Sequence, residues 1–437
     1  MKNKFIGFLF LAFMVSGCNL MGGPSGNNIK QSIIDQTPQV ALKTMKFEDY
    51  GEGDSVLYYL EKGSLYQMAG QHEESQKAYE AAKEKMEALY TTSVSKSTGS
   101  VLLNDNATDY EGEAFENIMA HVYQAVDYME AGMIENAAII THQLDSKLEQ
   151  LSAKKESIKN KVYKCDPYAS YLSGIIHEQS ESLTRWDDAR VAYENSFKCY
   201  KKSIFNLGVP TQVKHALKKV EKIAKNSSAS NNANMGELIF ILDEGFVVAK
   251  RENSIAVAAG SKEKIRQVKI AIPEYPKTNS HLITEIRIKI NGEIVKAERV
   301  HDLDTAARIT LEERLPAIQA RAMARAVKNQ LIQKEAGDRG GYFAQLVSVV
   351  ATNVLEKADV RGWRTLPHTI WMSRSSHKPG SYNIDVELVG AAGTILNIKQ
   401  YKNIAINKGM NKCLLLRWGA TPHVNNTKSA NLYLPVI

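Results

Sequence analysis

The chain has 437 residues, of which 44% are apolar and 24% charged, and a formal charge of +7. That length allows two or three domains with real cores, and the composition excludes a disordered or fibrous chain. The charge is mild: it suits an anionic surface but does not require nucleic acid, and no nucleic-acid partner is expected.

In chain order, Lys2 and Lys4 make a basic head, and Phe5 to Val15 is an apolar run too short for a membrane span. Val15-Ser16-Gly17-Cys18 closes the segment. These four residues resemble the bacterial lipobox, whose cysteine is lipidated and becomes the first residue of the mature chain. The resemblance implies removal of residues 1–17 and a stable lipid anchor at Cys18. Losing Lys2 and Lys4 lowers the charge from +7 to +5. In lipoprotein sorting an Asp after the cysteine favours the inner membrane. Asn19 therefore implies the outer membrane, with the chain facing the periplasm. Residues 18–45 are expected to form a flexible tether. Asn19 to about Pro38 is rich in Gly, Asn, Ser and Gln and shows no period. A flanking helix is expected near 30–46.

A helical-repeat domain is predicted over 46–225. Gly63, Tyr66, Gly70, His72, Ser75, Tyr79 and Ala82 recur at steps of 3, 4, 2, 3, 4 and 3. Ala125, Tyr128, Gly132, Ile134, Ala137, Thr141 and Leu144 repeat those steps. A third pair over about 167–200 keeps them in Trp186, Ala189, Tyr193 and Ser196. Its first helix fits less well, with His177 and Ser180 in the places of Ala125 and Tyr128. This spacing resembles the tetratricopeptide repeat, in which small residues let paired helices approach and aromatic residues fill the gap. The alternative is a generic bundle of helices without a groove. On the repeat reading, Leu60, Ser64 and Gln67 on the first helix would line a groove for a protein partner. Cys165 and Cys199 flank the third pair, at ends that are neighbours in a hairpin. A disulfide is expected there, the alternative being two separate buried thiols. Cys413 is left over.

Residues 226–235 are polar and turn-forming and read as a linker. Beyond them the period becomes that of strands, and 236–437 is expected to be a β-rich domain. Strands are predicted at 238–242, 246–248, 254–258, 268–272, 382–389, 395–400, 404–406 and 413–418. Asn291-Gly292 between two alternating runs, 283–290 and 293–300, predicts a hairpin with a type I′ turn. A helical insert is expected over about 304–356, with Pro316 kinking its first helix. Arg314, Arg321, Arg325 and Lys328 form one stripe on that helix, to be solvated, paired with Glu312, Glu313 or Glu356, or bound to an anion. The fold class is α+β: TPR-like helices, then a β-rich domain with inserted helices.

Motifs with chemistry are sparse. Ser261 to Lys264 and Ser375 to Lys378 match S-x-x-K without the companion motifs that a serine nucleophile needs. His301-Asp302-Leu303-Asp304 lies at a strand-to-helix junction, where an Asp is expected as a helix cap rather than a metal ligand. No catalytic residue, metal or cofactor is assigned. The runs L-E-E-R-L-P-A-I-Q-A-R-A-M-A-R-A at 311–326 and A-D-V-R-G-W-R-T-L-P-H-T-I-W at 358–371 resemble a family of repeat-bearing bacterial lipoproteins. That resemblance implies a role in envelope assembly and carries over no catalytic residue. The expected function is a non-enzymatic scaffold for a periplasmic or outer-membrane protein. The alternatives are an envelope enzyme acting on peptidoglycan or glycan, and a structural subunit of an outer-membrane complex.

Overall fold

The computed structural model describes residues 26–35, 37–95, 108–153, 163–202, 204–205, 207–225, 234–261, 264–276, 281–326, 328, 357–419 and 432–433. Helices occupy the N-terminal half and strands the C-terminal part. Two short helices, α1 (Gly26–Ile34) and α2 (Pro38–Thr44), lead into three helical hairpins. These are α3 (Ser55–Met68) with α4 (His72–Ser95), α5 (Ala114–Glu130) with α6 (Ile134–Ser152), and α7 (Pro167–Gln179) with α8 (Arg185–Lys201). Helix α9 (Thr211–Lys225) closes the series.

Each hairpin forms where a small residue meets a ring or a tight turn. A Cβ on Gly63 would lie 2.8 Å from the Tyr79 ring, and one on Gly174 would lie 2.3 Å from the Tyr193 ring. Those glycines bring α3 onto α4 and α7 onto α8. Gly70 and Gly132, with φ of +69° and +74°, end α3 and α5 in left-handed turns that other residues adopt at a cost. Gly174 also explains the poor fit of the third hairpin. Tyr193 lies 19 residues after its glycine, against 16 for Tyr79 after Gly63. The small residue is Gly174, one turn before the expected His177.

Eleven strands are described: β1 (Gly236–Glu244), β2 (Arg251–Ser261), β3 (Lys264–Glu274), β4 (Glu285–Ile290), β5 (Glu293–Lys296), β6 (Glu298–Asp302), β7 (Thr369–His377), β8 (Gly380–Val389), β9 (Ile395–Ile406), β10 (Asn411–Trp418) and β11 (Leu432–Tyr433). A helix, α10, runs over 303–326. One sheet has the order β11-β10-β1-β7-β6, a second β5-β4-β8-β9, and β2 pairs with β3 alone. Asn291 and Gly292 both have positive φ, 49° and 89°, in the turn between β4 and β5. The run expected as one strand over 293–300 breaks at Ala297. β5 pairs with β4 in the second sheet, and β6 crosses to pair with β7 in the first. The segment 246–248, expected as a strand, is irregular.

Alternation along β1 assigns its two faces. Leu238, Phe240 and Leu242 pack with Ile286, Ile288, Val386 and Leu388 of the second sheet. Ile239 and Ile241 join Ile370, Met372, Cys413 and Leu415 in one core with Leu60, Tyr123, Leu172 and Ile175 of the helices. The order of layers is therefore helices, sheet, sheet. Residues on both sides of 226–235 share a continuous core, so the expected division into two separately packed domains is not what forms. A domain needs a core of its own, and the first sheet has one face in each.

Two further expectations change. The tether does not reach residue 45, because Ile29, Ile33 and Ile34 are buried with Tyr58, Leu65 and Phe246. Three isoleucines on one face of α1 outweigh the polar composition around them. Helix α10 runs through Pro316 without interruption of its helical assignment, and its middle is open: Ala317, Ala320 and Ala324 are exposed while Ala322 and Ala326 pack on Ile270 and Ile272. Within its basic stripe, Arg314 pairs with Glu113 at 2.7 Å and Glu111 at 3.4 Å, Arg325 is buried and Lys328 is exposed. The acids that hold Arg314 come from the loop before α5 rather than from Glu312 or Glu313.

Candidate functional site

The inner face of the first hairpin was the expected partner groove. Leu60, Ser64 and Gln67 lie on it, but at 0%, 7% and 3% exposure they are inside the protein. What covers them is the chain itself. The segment 357–368, between α10 and β7, crosses this face, and Trp363 sits within 6.0 Å of the Tyr79 ring and 5.9 Å of the Tyr123 ring, centre to centre. The Trp363 indole N–H donates to Thr365 Oγ1 at 2.7 Å and to Ser64 Oγ at 3.2 Å, and its backbone N–H donates to Glu116 at 2.7 Å. Arg361 reaches Asp54 at 2.8 Å. Tyr123 Oη donates to Asp243 at 2.8 Å, and Arg417 donates to the same carboxylate at 3.1 Å. The cavity left among Ser64, Gln67, Tyr79, Tyr123, Asp243 and Arg417 is about 20 Å³, room for one water molecule. A peptide has no place here, and Leu60, Ser64 and Gln67 are core residues. The sequence showed their helical spacing but not the segment 300 residues away that fills the face.

The electrostatics of this interface are those of a closed one. Burial pushes the Glu116 carboxyl up, and the neighbouring Glu113 adds to that. Glu113 itself goes the other way: burial raises it, but Lys250 at 2.7 Å and Arg314 outweigh burial and hold it at about 2. Glu178 of α7 is also held at about 2, where Arg374 of β7 and Lys219 of α9 overcome burial. His301 is buried and bonded to Asp166 at 2.6 Å. Asp302 accepts the Thr305 N–H at 2.9 Å, as a cap of α10. Ser375 bonds His377 at 2.8 Å, and residues 262–263 of the other S-x-x-K run lie outside the described residues.

A larger opening lies elsewhere. Where the β5 and β6 edges of the two sheets diverge, α9 lies across the gap and leaves a cleft of about 710 Å³. Gln212 and His215 of α9, Glu285, Lys296, Ser373 and Trp371 line it. Its far end is tied down: Glu298 accepts the backbone N–H groups of Thr211 at 2.8 Å and Gln212 at 3.1 Å, which caps α9. Hydrogen bonds from Arg287 and Lys296 hold the half-buried Glu285 carboxyl at about 2. The volume is within the range of ligand sites, and the rim carries both charges.

Among the described residues, three groups of histidine and carboxylate side chains could hold a metal ion: His72, Asp127 and Glu130; His142, Asp145 and His177; and Glu244, His281 and His368. None stands out in the sequence, because each group is completed by a residue from a second or third element. In the last group the three residues are separated by 37 and 87 positions. Burial holds His368 down at about 3 and Glu244 up at about 7.

Cys165 and Cys199 form a disulfide that joins the start of the third hairpin to its end. Cys413 is a buried thiol, pushed up by burial. Cys18 lies outside the described residues. Among the described residues, no helix is long and apolar enough to cross a membrane. No protein-family model, curated protein or solved structure matches the chain.

Proposed function

We propose that this chain is a lipid-anchored envelope protein of the periplasmic leaflet of the outer membrane, and that it acts as a non-enzymatic adaptor for a protein partner. Its three hairpins are degenerate tetratricopeptide-type units, as the Gly63–Tyr79 and Gly174–Tyr193 contacts favour. The first hairpin and α5 hold a polypeptide on their inner face in the manner of such arrays, but the polypeptide is the chain's own segment 357–368. The partner surface therefore moves to the cleft beside α9. One observation carries this reading: the cleft beside α9 is open with a mixed, charged rim, while the inner face is filled. An extended polar segment of another envelope protein suits such a rim.

Lipidation at Cys18 adds a geometric limit. Only seven residues, or eight Cα-to-Cα steps, separate it from Gly26, where helix α1 begins. A fully extended chain of that length spans at most ~29 Å. The body would stay within that distance of the bilayer, and confinement raises the effective concentration of a partner in the same membrane.

The test is photo-crosslinking in intact cells from His215 or Lys296, with Gln67 as an interior control. Capture of one stoichiometric protein from the cleft positions supports the adaptor. No adduct, together with degradation of isolated sacculi by the purified chain, overturns it in favour of an envelope enzyme. Palmitate labelling lost in Cys18→Ser supports the anchor, and labelling that persists overturns it.

A further inference from the structure

We propose that Glu244, His281 and His368 form a binding site for a divalent transition-metal ion of the zinc type. Glu244 ends β1, His368 immediately precedes β7, and His281 lies just before β4. Three corners of the sandwich thus bring together one carboxylate oxygen and two imidazole nitrogens, all within 4.8 Å of one another. Two histidines and one carboxylate form a ligand set that suits Zn²⁺, with bonds of about 2.0–2.2 Å and a fourth position for water.

The gap between these groups sets them apart from the other two candidates. His72 meets Asp127 at 2.8 Å and His177 meets Asp145 at 3.0 Å, so each of those pairs closes on itself as a hydrogen-bonded ion pair. Glu244 Oε1 and His368 Nε2 stand 3.8 Å apart, beyond hydrogen-bond length. Ligands around a tetrahedral ion are roughly 3.3 Å apart at those bond lengths. A small movement of His281, which is exposed, completes the set.

The surroundings already orient the ligands. Trp371 Nε1 donates to Glu244 Oε2 at 2.8 Å, and the Ile283 backbone N–H donates to Glu244 Oε1 at 3.0 Å. Thr369 Oγ1 bonds His368 Nδ1 at 2.9 Å, which leaves Nε2 on the side of the carboxylate. The same hydroxyl is 3.4 Å from His281 Nδ1. The Trp371 bond to the second carboxylate oxygen and the Thr369 bond to His368 Nδ1 lie away from the gap, as the bonds that orient ligands in metal sites do. Trp371 also lines the cleft beside α9.

The mature chain, solubilised in detergent and stripped with a chelator, is titrated with zinc chloride by calorimetry and with cobalt chloride by absorption. One ion per chain is expected, with cobalt bands in the visible range. His281→Ala, at an exposed position, should weaken zinc binding at least tenfold and remove the cobalt bands. His368→Gln should do the same if circular dichroism shows it folded. His72→Ala and His142→Ala should leave binding unchanged. The proposal is overturned by no saturable binding, by wild-type binding in His281→Ala, or by a loss that follows His72 or His142 instead.

Discussion

The Trp363 indole N–H donates to the Ser64 hydroxyl at 3.2 Å across 299 positions of sequence. That bond lies where the first helical hairpin, the first sheet and the segment before β7 meet. It makes the helices and the strands one cooperative body instead of a groove with a neighbouring domain.

Trp363→Ala should therefore destabilise the whole chain. Removing a fully buried tryptophan costs about 3–5 kcal/mol. Because helices and sheet share the core around it, urea unfolding should remain a single transition, shifted to lower urea, by circular dichroism and by tryptophan fluorescence alike. Two separate transitions, with only one of them moved, would contradict the shared core.

The disulfide closes a loop of 34 residues around the third hairpin. Constraining an unfolded loop of that length is worth about 3–4 kcal/mol. A reductant should lower the Tm of the wild-type chain and leave a Cys165→Ser/Cys199→Ser double variant unmoved. Both should lose the same stability by denaturant titration.

Local chemistry was legible in the sequence, and distant pairing was not. Asn291-Gly292 announced its turn because few other residues accept positive φ at both positions. Gly63 and Tyr79 announced the first hairpin, since their spacing depends only on two helices and a short turn. The third hairpin lies where the spacing of its second helix puts it, but its longer connection moves the small residue of its first helix to Gly174. Nothing local says that Ile239 of β1 lies beside Cys413 on one side and Arg374 on the other. Those neighbours are more than 130 residues away, and the alternating pattern of β1 is equally good for any partner strand. The Glu244, His281 and His368 group was hidden for the same reason. Leu60, Ser64 and Gln67 were placed correctly on their helix, but the periodicity of a helix cannot say what will cover it.

Gly174→Ala and Gly63→Ala test the close approach of the helices. A Cβ at Gly174 would meet the Tyr193 ring at 2.3 Å, and one at Gly63 would meet the Tyr79 ring at 2.8 Å. Tyr193 cannot swing away without losing its 2.6 Å bond to Glu178. Both substitutions should destabilise by about 1–3 kcal/mol, as overpacking does, with Gly174→Ala the more costly. Thermal unfolding of the two variants side by side checks the order.

The pair of Glu178 and Arg374 sets a pH limit. Arg374 Nη2 lies 2.8 Å from Glu178 on one side, and its Nε lies 2.7 Å from Glu237 on the other. Burial alone would raise Glu178, but Arg374 and Lys219 hold it at about 2, below its ordinary 4.5. A carboxyl with a depressed folded pKa contributes its stability fully above the unfolded value. That contribution is then lost as pH falls from about 4.5 towards 2. Chemical denaturation at a series of pH values should show this acid limb in the wild type and a shallower one in Glu178→Gln. Arg374→Ala should cost about 3–5 kcal/mol at pH 7, because a buried carboxylate then keeps Lys219 as its cation beside the Tyr193 hydroxyl. Adding Glu178→Gln to Arg374→Ala should restore part of that loss. A double variant no more stable than Arg374→Ala alone would mean that Arg374 acts through its packing and its bond to Tyr193 rather than through charge.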